Sequence, residues 1–185
     1  MAISTPVQKM SLKEFLSLPE DGPKYELEYG EIVELTRPTF EHNELLLNLA
    51  MILKTHIRAN QLGRLRMDIL VVLDELTHLA YAPDLIFVAT ENLAVIQDGC
   101  VYGAPDLVVE ILSPSTANRD HFTKFKAYHK TGVPWYWIID PSGPGIEEHH
   151  HTPDGYLRTA TVECDARFHP GLFPDLTIDL NTLTT

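Results

Sequence analysis

Ala104-Pro-Asp-Leu-Val-Val-Glu-Ile-Leu-Ser-Pro-Ser-Thr116 contains a carboxylate set inside an apolar run. Residues 107–112 are short, lie between Pro105 and Pro114, and are rich in aliphatic side chains, which predicts a buried strand. Successive strand residues point to opposite faces, so Asp106, Val108, Glu110 and Leu112 share one side. An acid at a strand's wet end costs little, but Glu110 between Val109 and Ile111 needs a partner. Pro83-Asp84 opens another apolar run, 85–89, with Ile86 and Val88 on the Asp84 face. If these strands are neighbours, Asp84 and Glu110 converge on one cation. Mg²⁺ suits such a pair because it takes one or two carboxylates and keeps positions for water and phosphate oxygens. Mn²⁺ accepts the same hard ligands. The competing reading of Glu110 is a buried ion pair with a lysine, and Lys124 and Lys126 on the next predicted helix are within topological reach.

Beyond Ser113 the pattern predicts a loop, a helix over 120–131 closed by Gly132, and a buried strand over 135–140. Strands at 146–151 and 156–163 follow, joined by the Pro153-Asp-Gly155 turn. Toward the N-terminus, 65–73 predicts one strand, 74–78 a turn, and 91–103 a loop with a short helix. Leu45, Leu49, Ile52 and Leu53 give a helix from Thr39 to about Asn60 one apolar face, with Gly63 as its stop. A hairpin over 25–35 turns at Gly30, and Ser11-Leu-Lys-Glu14 has the form of a capping box for a short helix ended by Pro19. From residue 41 to 140 the order is helix, strand, strand, strand, helix, strand. Three successive strands without helical crossovers exclude a doubly wound sheet and predict a mixed α/β fold, of α+β type, with extra hairpins at both ends. No repeat or linker divides the 185 residues, so one domain spanning 1–185 is expected.

Fourteen Lys and Arg against 26 Asp and Glu give a net charge of −12, which excludes broad adhesion to nucleic acid. Yet Lys54, Arg58, Arg64 and Arg66 follow one another with no acid between them, and Arg119, Lys124, Lys126 and Lys130 form a second basic stretch. If the partner is a nucleic acid, Arg58, Arg64, Arg66 and Arg119 are the expected phosphate contacts, weak or assisted; the competing reading is that these runs are solvated helix faces. Cys100 and Cys164 are too few for a disulfide framework and are expected to be inert thiols. No run approaches the ~20 apolar residues of a membrane helix, and Met1 to Leu16 lacks a signal-peptide pattern, so no membrane association and a cytoplasmic location are expected. Ser113 and Ser115 lack a nucleophile elbow and suit a loop. Trp135, Tyr136 and Trp137 suit a core, to which at least two of the three must point, rather than base stacking, and His149-His-His151 suits an exposed strand.

The stretch from Ala104 to Thr116, with Arg119-Asp120, Lys124, Tyr128, Gly132-Val133 and Tyr136-Trp137-Ile-Ile-Asp-Pro141, closely resembles the Uma-two family of restriction-endonuclease-type proteins. That family lies in the PD-(D/E)XK phosphodiesterase superfamily. The likeness continues through Tyr25-Glu-Leu, Gly30-Glu-Ile-Val, His42 and Ala82-Pro-Asp-Leu-Ile-Phe-Val88. The resemblance implies a restriction-endonuclease-like core and an endonuclease that hydrolyses DNA phosphodiester bonds with Mg²⁺ or Mn²⁺, acting as a homodimer. It implies Asp84 and Glu110 as catalytic metal ligands, with the Ile111 carbonyl adding an oxygen. The lysine usual two residues after the acid would fall at Leu112, and the family pattern carries it instead at Lys124, the third catalytic residue. Replacing Lys124 is expected to abolish cleavage and spare folding. Glu26 and Asp106 also match family positions and are accessory candidates. The alternative is a catalytically silent nuclease-like module that binds nucleic acid or protein.

Overall fold

A computed structural model describes residues 9–19, 21–114, 116–143, 145–163 and 166–184. Ser115 and Cys164 lie outside the described residues. The chain runs α1 (Leu12–Phe15), β1 (Tyr25–Glu28), β2 (Glu31–Glu34), α2 (Phe40–Ala59), β3 (Gly63–Met67), β4 (Val71–Asp74), β5 (Leu79–Tyr81) and β6 (Leu85–Ala89). It continues through β7 (Ile96–Gln97), β8 (Cys100–Tyr102), β9 (Leu107–Ile111), a π-helical turn (Arg119–Lys124), α3 (Phe125–Lys130), β10 (Trp135–Asp140), β11 (Gly145–Thr152) and β12 (Gly155–Val162). Short strands β13 (Arg167–Phe168) and β14 (Ile178–Asp179) pair near the C-terminus.

Two six-stranded sheets result, β12-β11-β10-β9-β6-β3 and β2-β1-β5-β4-β8-β7. In the first, β3, β6 and β9 are successively antiparallel, and β9 runs parallel to β10 across the helical crossover. Its order α2, β3, β6, β9, α3, β10 is the expected mixed helix-strand-strand-strand-helix-strand core. The second sheet is assembled from the N-terminal hairpin and the segments between β3 and β9.

That second sheet is where the structure departs from sequence expectation. Residues 65–73 form parts of two strands in different sheets. Asp68 (φ 53°) makes the break in the left-handed region, which aspartate tolerates because its short polar side chain can bond locally. Strands β7 and β8 lie in the stretch expected to be loop with a short helix, and β5 lies in residues to which the sequence pattern assigns no element. Nor does Gly63 stop α2. Gln61 (φ 54°) takes the left-handed position, and the Leu62 N–H donates to the Ile57 carbonyl, closing a Schellman motif.

Alternation along β9 feeds two cores. Leu107, Val109 and Ile111 pack with Leu45, Leu49 and Leu53 of α2 and with Phe168, Phe173 and Ile178. Val108, on the opposite face, packs with Val71, Tyr81, Tyr128 and Tyr136 between the sheets. Glu110 shares the Val108 face, so the fold places its carboxylate between the two sheets. Tyr136 and Trp137 are buried as expected, whereas His149 is not on an exposed strand; it is 3% exposed and edges Phe125. No described helix is long and apolar enough to cross a membrane.

Gly63 has a different duty at the edge of the first sheet. A Cβ there would meet the Val88 carbonyl at 2.1 Å and Ala89 Cα at 2.9 Å, at φ +154°. Gly63→Ala must push β3 away from β6 and is expected to cost about 2–3 kcal/mol, read as a lower urea midpoint with an unchanged slope.

Candidate active site

The β6–β9 ladder pairs Leu85 with Val109, and one step further Asp84 stands opposite Glu110. The Ile111 N–H donates to Asp84 Oδ2 at 2.7 Å, fixing that carboxylate against the end of β9. His42 Nε2, from the first turn of α2, lies 3.3 Å from the same oxygen. Glu110 is held in a parallel manner. Its Oε1 accepts from Lys124 Nζ at 2.8 Å and from the Tyr128 hydroxyl at 2.6 Å. Each carboxylate therefore has one oxygen anchored, while no described group donates to Asp84 Oδ1 or Glu110 Oε2.

Lys124 is 4% exposed and also contacts Glu26 Oε1 at 2.9 Å, with Asp120 Oδ1 at 3.7 Å. Arg119 bonds Glu26 and reaches Glu28 Oε2 at 2.8 Å, and the Tyr81 hydroxyl donates to that same Glu28 oxygen. The π-helical winding of 119–124 explains how both cations reach one acid. A π turn closes on the fifth residue along, so Arg119 and Lys124 come to one side; an α-helix would splay them apart. Lys126 is exposed, as its two-residue offset from Lys124 requires.

Burial pushes Glu110 up to about 8, opposed by Lys124 and reinforced by Asp120, Asp84 and Glu26. Asp120 is raised for the same leading reason. Burial also works against ionised Glu26, but Lys124 and Arg119 prevail and hold it below the usual carboxylate value. Lys124 is raised: its burial is outweighed by Glu110, Glu26 and Asp120. For His42, burial is overcome by the Asp84 carboxylate, and the ring keeps its proton more firmly than an ordinary histidine.

A cavity of about 490 Å³ opens onto this cluster, lined by His42, Asp84, Glu110, Ile111, Asp120 and Lys124, with Lys24 and Arg37 at its wall. Glu110, Asp120, Glu26 and Glu28 face Lys124 and Arg119, and Asp84 faces His42, so five carboxylates stand against three cationic groups. Buried Asp120 Oδ1 has no hydrogen-bond partner. Hard oxygens with uncompensated charge fit a divalent cation such as Mg²⁺. Among the described residues no three His, Cys, Asp or Glu side chains form a ready-made metal cage, and Mg²⁺ binding through one or two carboxylates does not need one.

The structure thus gathers Asp84, Glu110, Ile111 and Lys124 at one cavity, with Glu26 buried behind Lys124. Asp106 lies elsewhere, accepting from the Ala89 N–H and Asn92 Nδ2, both at 2.7 Å, where it ties β9 to the end of β6. Arg119, expected among the phosphate contacts, is instead spent on Glu26 and Glu28, with its side chain 17% exposed. Arg58, Arg64 and Arg66 line, with Lys54, a separate groove of about 510 Å³ between the end of α2 and β3. His42, Asp120 and Tyr128, which carry the family likeness but have no role assigned from the sequence, are partners in the cluster. Each carried a signal: a histidine on α2's buried face, an acid four residues before the lysine, and a hydroxyl four residues after it.

A family model described as "Uma2: Putative restriction endonuclease" matches residues 12–181. The fold is also similar to a crystal structure of "a putative nuclease belonging to DUF820" from Anabaena variabilis ATCC 29413. That likeness has a TM-score of 0.75 and covers 94% of this chain and 97% of the other at 20% identity, which speaks to shared fold alone. No curated protein matches.

Two outcomes follow from the buried charges. Lys124→Ala strands Glu110 and Glu26 without their cation, so the expectation that folding is spared gives way to a loss of about 3–5 kcal/mol in urea denaturation. Glu110 binds its proton more tightly folded than unfolded, so its contribution is present below pH 4.5 and is lost as pH rises toward 8. Glu110→Gln should remove that fall, narrowing the gap between urea midpoints at acid and mildly alkaline pH.

Proposed function

The chain belongs to this family of restriction-endonuclease type, and we propose that it is a divalent-metal-dependent endonuclease, using Mg²⁺ or Mn²⁺ to hydrolyse DNA phosphodiester bonds in the cytoplasm. One observation carries the reading. Asp84 and Glu110 stand opposite each other on neighbouring strands at one cavity, each with one oxygen anchored by the fold and the other without a donor among the described residues. When bound there, such a cation neutralises charge developing on the phosphodiester and acidifies water.

The chain's own residues orient and tune that site. Ile111 N–H and His42 hold Oδ2 of Asp84, and Lys124 with Tyr128 holds Oε1 of Glu110, which leaves Asp84 Oδ1 and Glu110 Oε2 without a described donor. The Ile111 carbonyl, which faces the His42 ring at the same strand end, is the third oxygen of this reading. Lys124 sets the cluster's charge as well as its geometry, making it a positioning residue for Glu110 and Glu26. Glu26 acts as the counter-charge that keeps the ammonium in place, which gives it an accessory role. Asp106 contributes by locking the strand ends.

Substrate contact has a physical route. The cavity and the Lys54–Arg66 groove both run between α2 and β3, with Leu46 and Met67 lining one and Ile57 and Arg66 the other. Arg58, Arg64 and Arg66 form no ion pair among the described residues, so their charge is available to phosphates leaving the cavity. Against a net charge of −12 this local patch supports contact that is weak at physiological salt and independent of base sequence. Two copies acting together would address two strands, as the homodimer reading requires.

The silent-module reading draws on one feature, the burial of Lys124, which keeps its ammonium from a substrate unless the cluster opens. Supercoiled plasmid incubated with Mg²⁺ or Mn²⁺ separates the two. Nicking by the wild type is expected, with a loss of at least about 100-fold in Asp84→Asn and Glu110→Ala. Asp84→Asn is the more telling variant because its side chain is part-exposed and its removal leaves the Lys124 cluster intact. Equal nicking by wild type and Asp84→Asn would remove the site assignment, and no nicking with either metal would favour the silent module.

A further inference from the structure

A phosphodiester is an anion, and the cations nearest the acids of the cavity are already committed. Lys124 is buried against Glu110 and Glu26, and Arg119 is held by Glu26 and Glu28. With the carboxylates ionised, as a bound divalent cation requires, five acids against Lys124, Arg119 and His42 leave two negative charges. One divalent cation offsets those two. A phosphate entering beside it adds a negative charge of its own and needs a further cation with a free face.

Two exposed cations on the cavity wall meet that need, Lys24 and Arg37. The open end of the β1–β2 hairpin brings them together, because the Leu35 N–H donates to the Lys24 carbonyl at 2.9 Å and Arg37 follows two residues on. Arg37 has no ion pair or hydrogen bond among the described residues. Pro38 biases its backbone toward the extended region, and Thr39 caps α2 directly afterwards, so the segment that carries it is stiff. Lys24 pairs with Asp68, at the break between β3 and β4, with side chains 66% and 50% exposed. A pair that wet is weakly held, and its ammonium can change partners. A guanidinium binds two phosphate oxygens at once, and an ammonium adds a compact charge.

We propose that Arg37 and Lys24 form a phosphate clamp at the mouth of the cavity. The clamp holds the backbone of an entering nucleic-acid strand, and Lys24 exchanges Asp68 for a phosphate oxygen. It rests on the endonuclease reading for its ligand, a phosphodiester, and on no step of cleavage. It supplies the substrate-facing cation that buried Lys124 cannot.

A rhodamine-labelled thymidine trinucleotide tests it. From Asn43 at the cavity to Arg58 at the basic groove, α2 rises about 22 Å, farther than the two phosphates of this probe can span. Fluorescence anisotropy in Ca²⁺ reads binding alone. The wild type is expected to bind, and Arg37→Ala to bind about tenfold more weakly with an unchanged melting temperature. Arg37→Lys keeps the charge without the fork and should fall between them. Asp68→Asn, a change the left-handed backbone there tolerates, frees Lys24 and should tighten binding. That gain should vanish once Lys24→Ala is added. A wild type that does not bind the probe overturns the clamp. So does Arg37→Ala binding as the wild type does, or an Asp68→Asn gain that persists without Lys24. Binding that depends on Arg37 while plasmid stays uncut upholds the clamp and fails the endonuclease reading. Nicking alongside binding indifferent to Arg37 does the reverse.

Discussion

The ammonium of Lys124 joins parts of the chain that nothing else brings together. Glu110 comes from the middle strand of the first sheet, Glu26 from the hairpin of the second, and Asp120 from the lysine's own helical turn. All four groups are almost wholly buried, so their attraction is strong, but so is the penalty for having buried them. An apolar cluster of similar volume would often be as stable or more so. The arrangement therefore finds its rationale in what it does to Glu110. The ammonium engages Oε1 and leaves Oε2 without a described donor on a residue that lines the cavity.

The same logic accounts for the surrounding groups. Arg119 offsets part of the Glu26 and Glu28 charge, and its guanidinium stacks over the Tyr81 ring at 5.2 Å, with Lys124 Nζ 5.4 Å from the same ring. Tyr81 in turn edges Tyr128, which donates to Glu110. Aromatic rings here serve as dry walls with polar tips, so each hydroxyl finds a carboxylate and each cation finds a ring face. The surplus is still negative. That surplus distinguishes the cluster from a purely structural salt bridge, which would balance its charges, and it supports the reading of a site for a divalent cation.

Much of this was legible in the residues. The apolar run around Glu110 announced a buried strand with an acid that needed a partner, and the segment order from α2 to β10 announced the mixed sheet. Legibility failed where local pattern and long-range pairing part company. Residues 65–73 alternate as one strand would, and only the left-handed turn at Asp68 sends the second half into another sheet. Arg119 looked like a surface cation because its acids are about ninety residues earlier in the chain. His149 looked exposed because its neighbours are polar, yet Phe125 and Tyr136 arrive from elsewhere to bury it. Composition misled in the same way. A net charge of −12 hides both the groove lined by Lys54, Arg58, Arg64 and Arg66 and an acidic site for which that charge is locally apt.

The helix-borne lysine can be understood from strand geometry. A lysine at position 112 would share the Glu110 face and approach it along the strand, tied to one sheet only. Leu112 instead packs against the core between the sheets. Supplying the ammonium from Lys124 brings it down from the crossover, where it can meet Glu26 of the second sheet as well as Glu110 of the first. An α-helical turn could present Lys124 or Arg119 to Glu26, but not both, because residues five apart diverge on its surface. The π winding resolves that conflict at the expense of regular hydrogen bonding, and the two ion pairs on Glu26 offset the cost. The irregular turn, the displaced lysine and the second sheet are thus one solution to a single problem: how to hold Glu110 inside an apolar strand with one oxygen still facing the cavity.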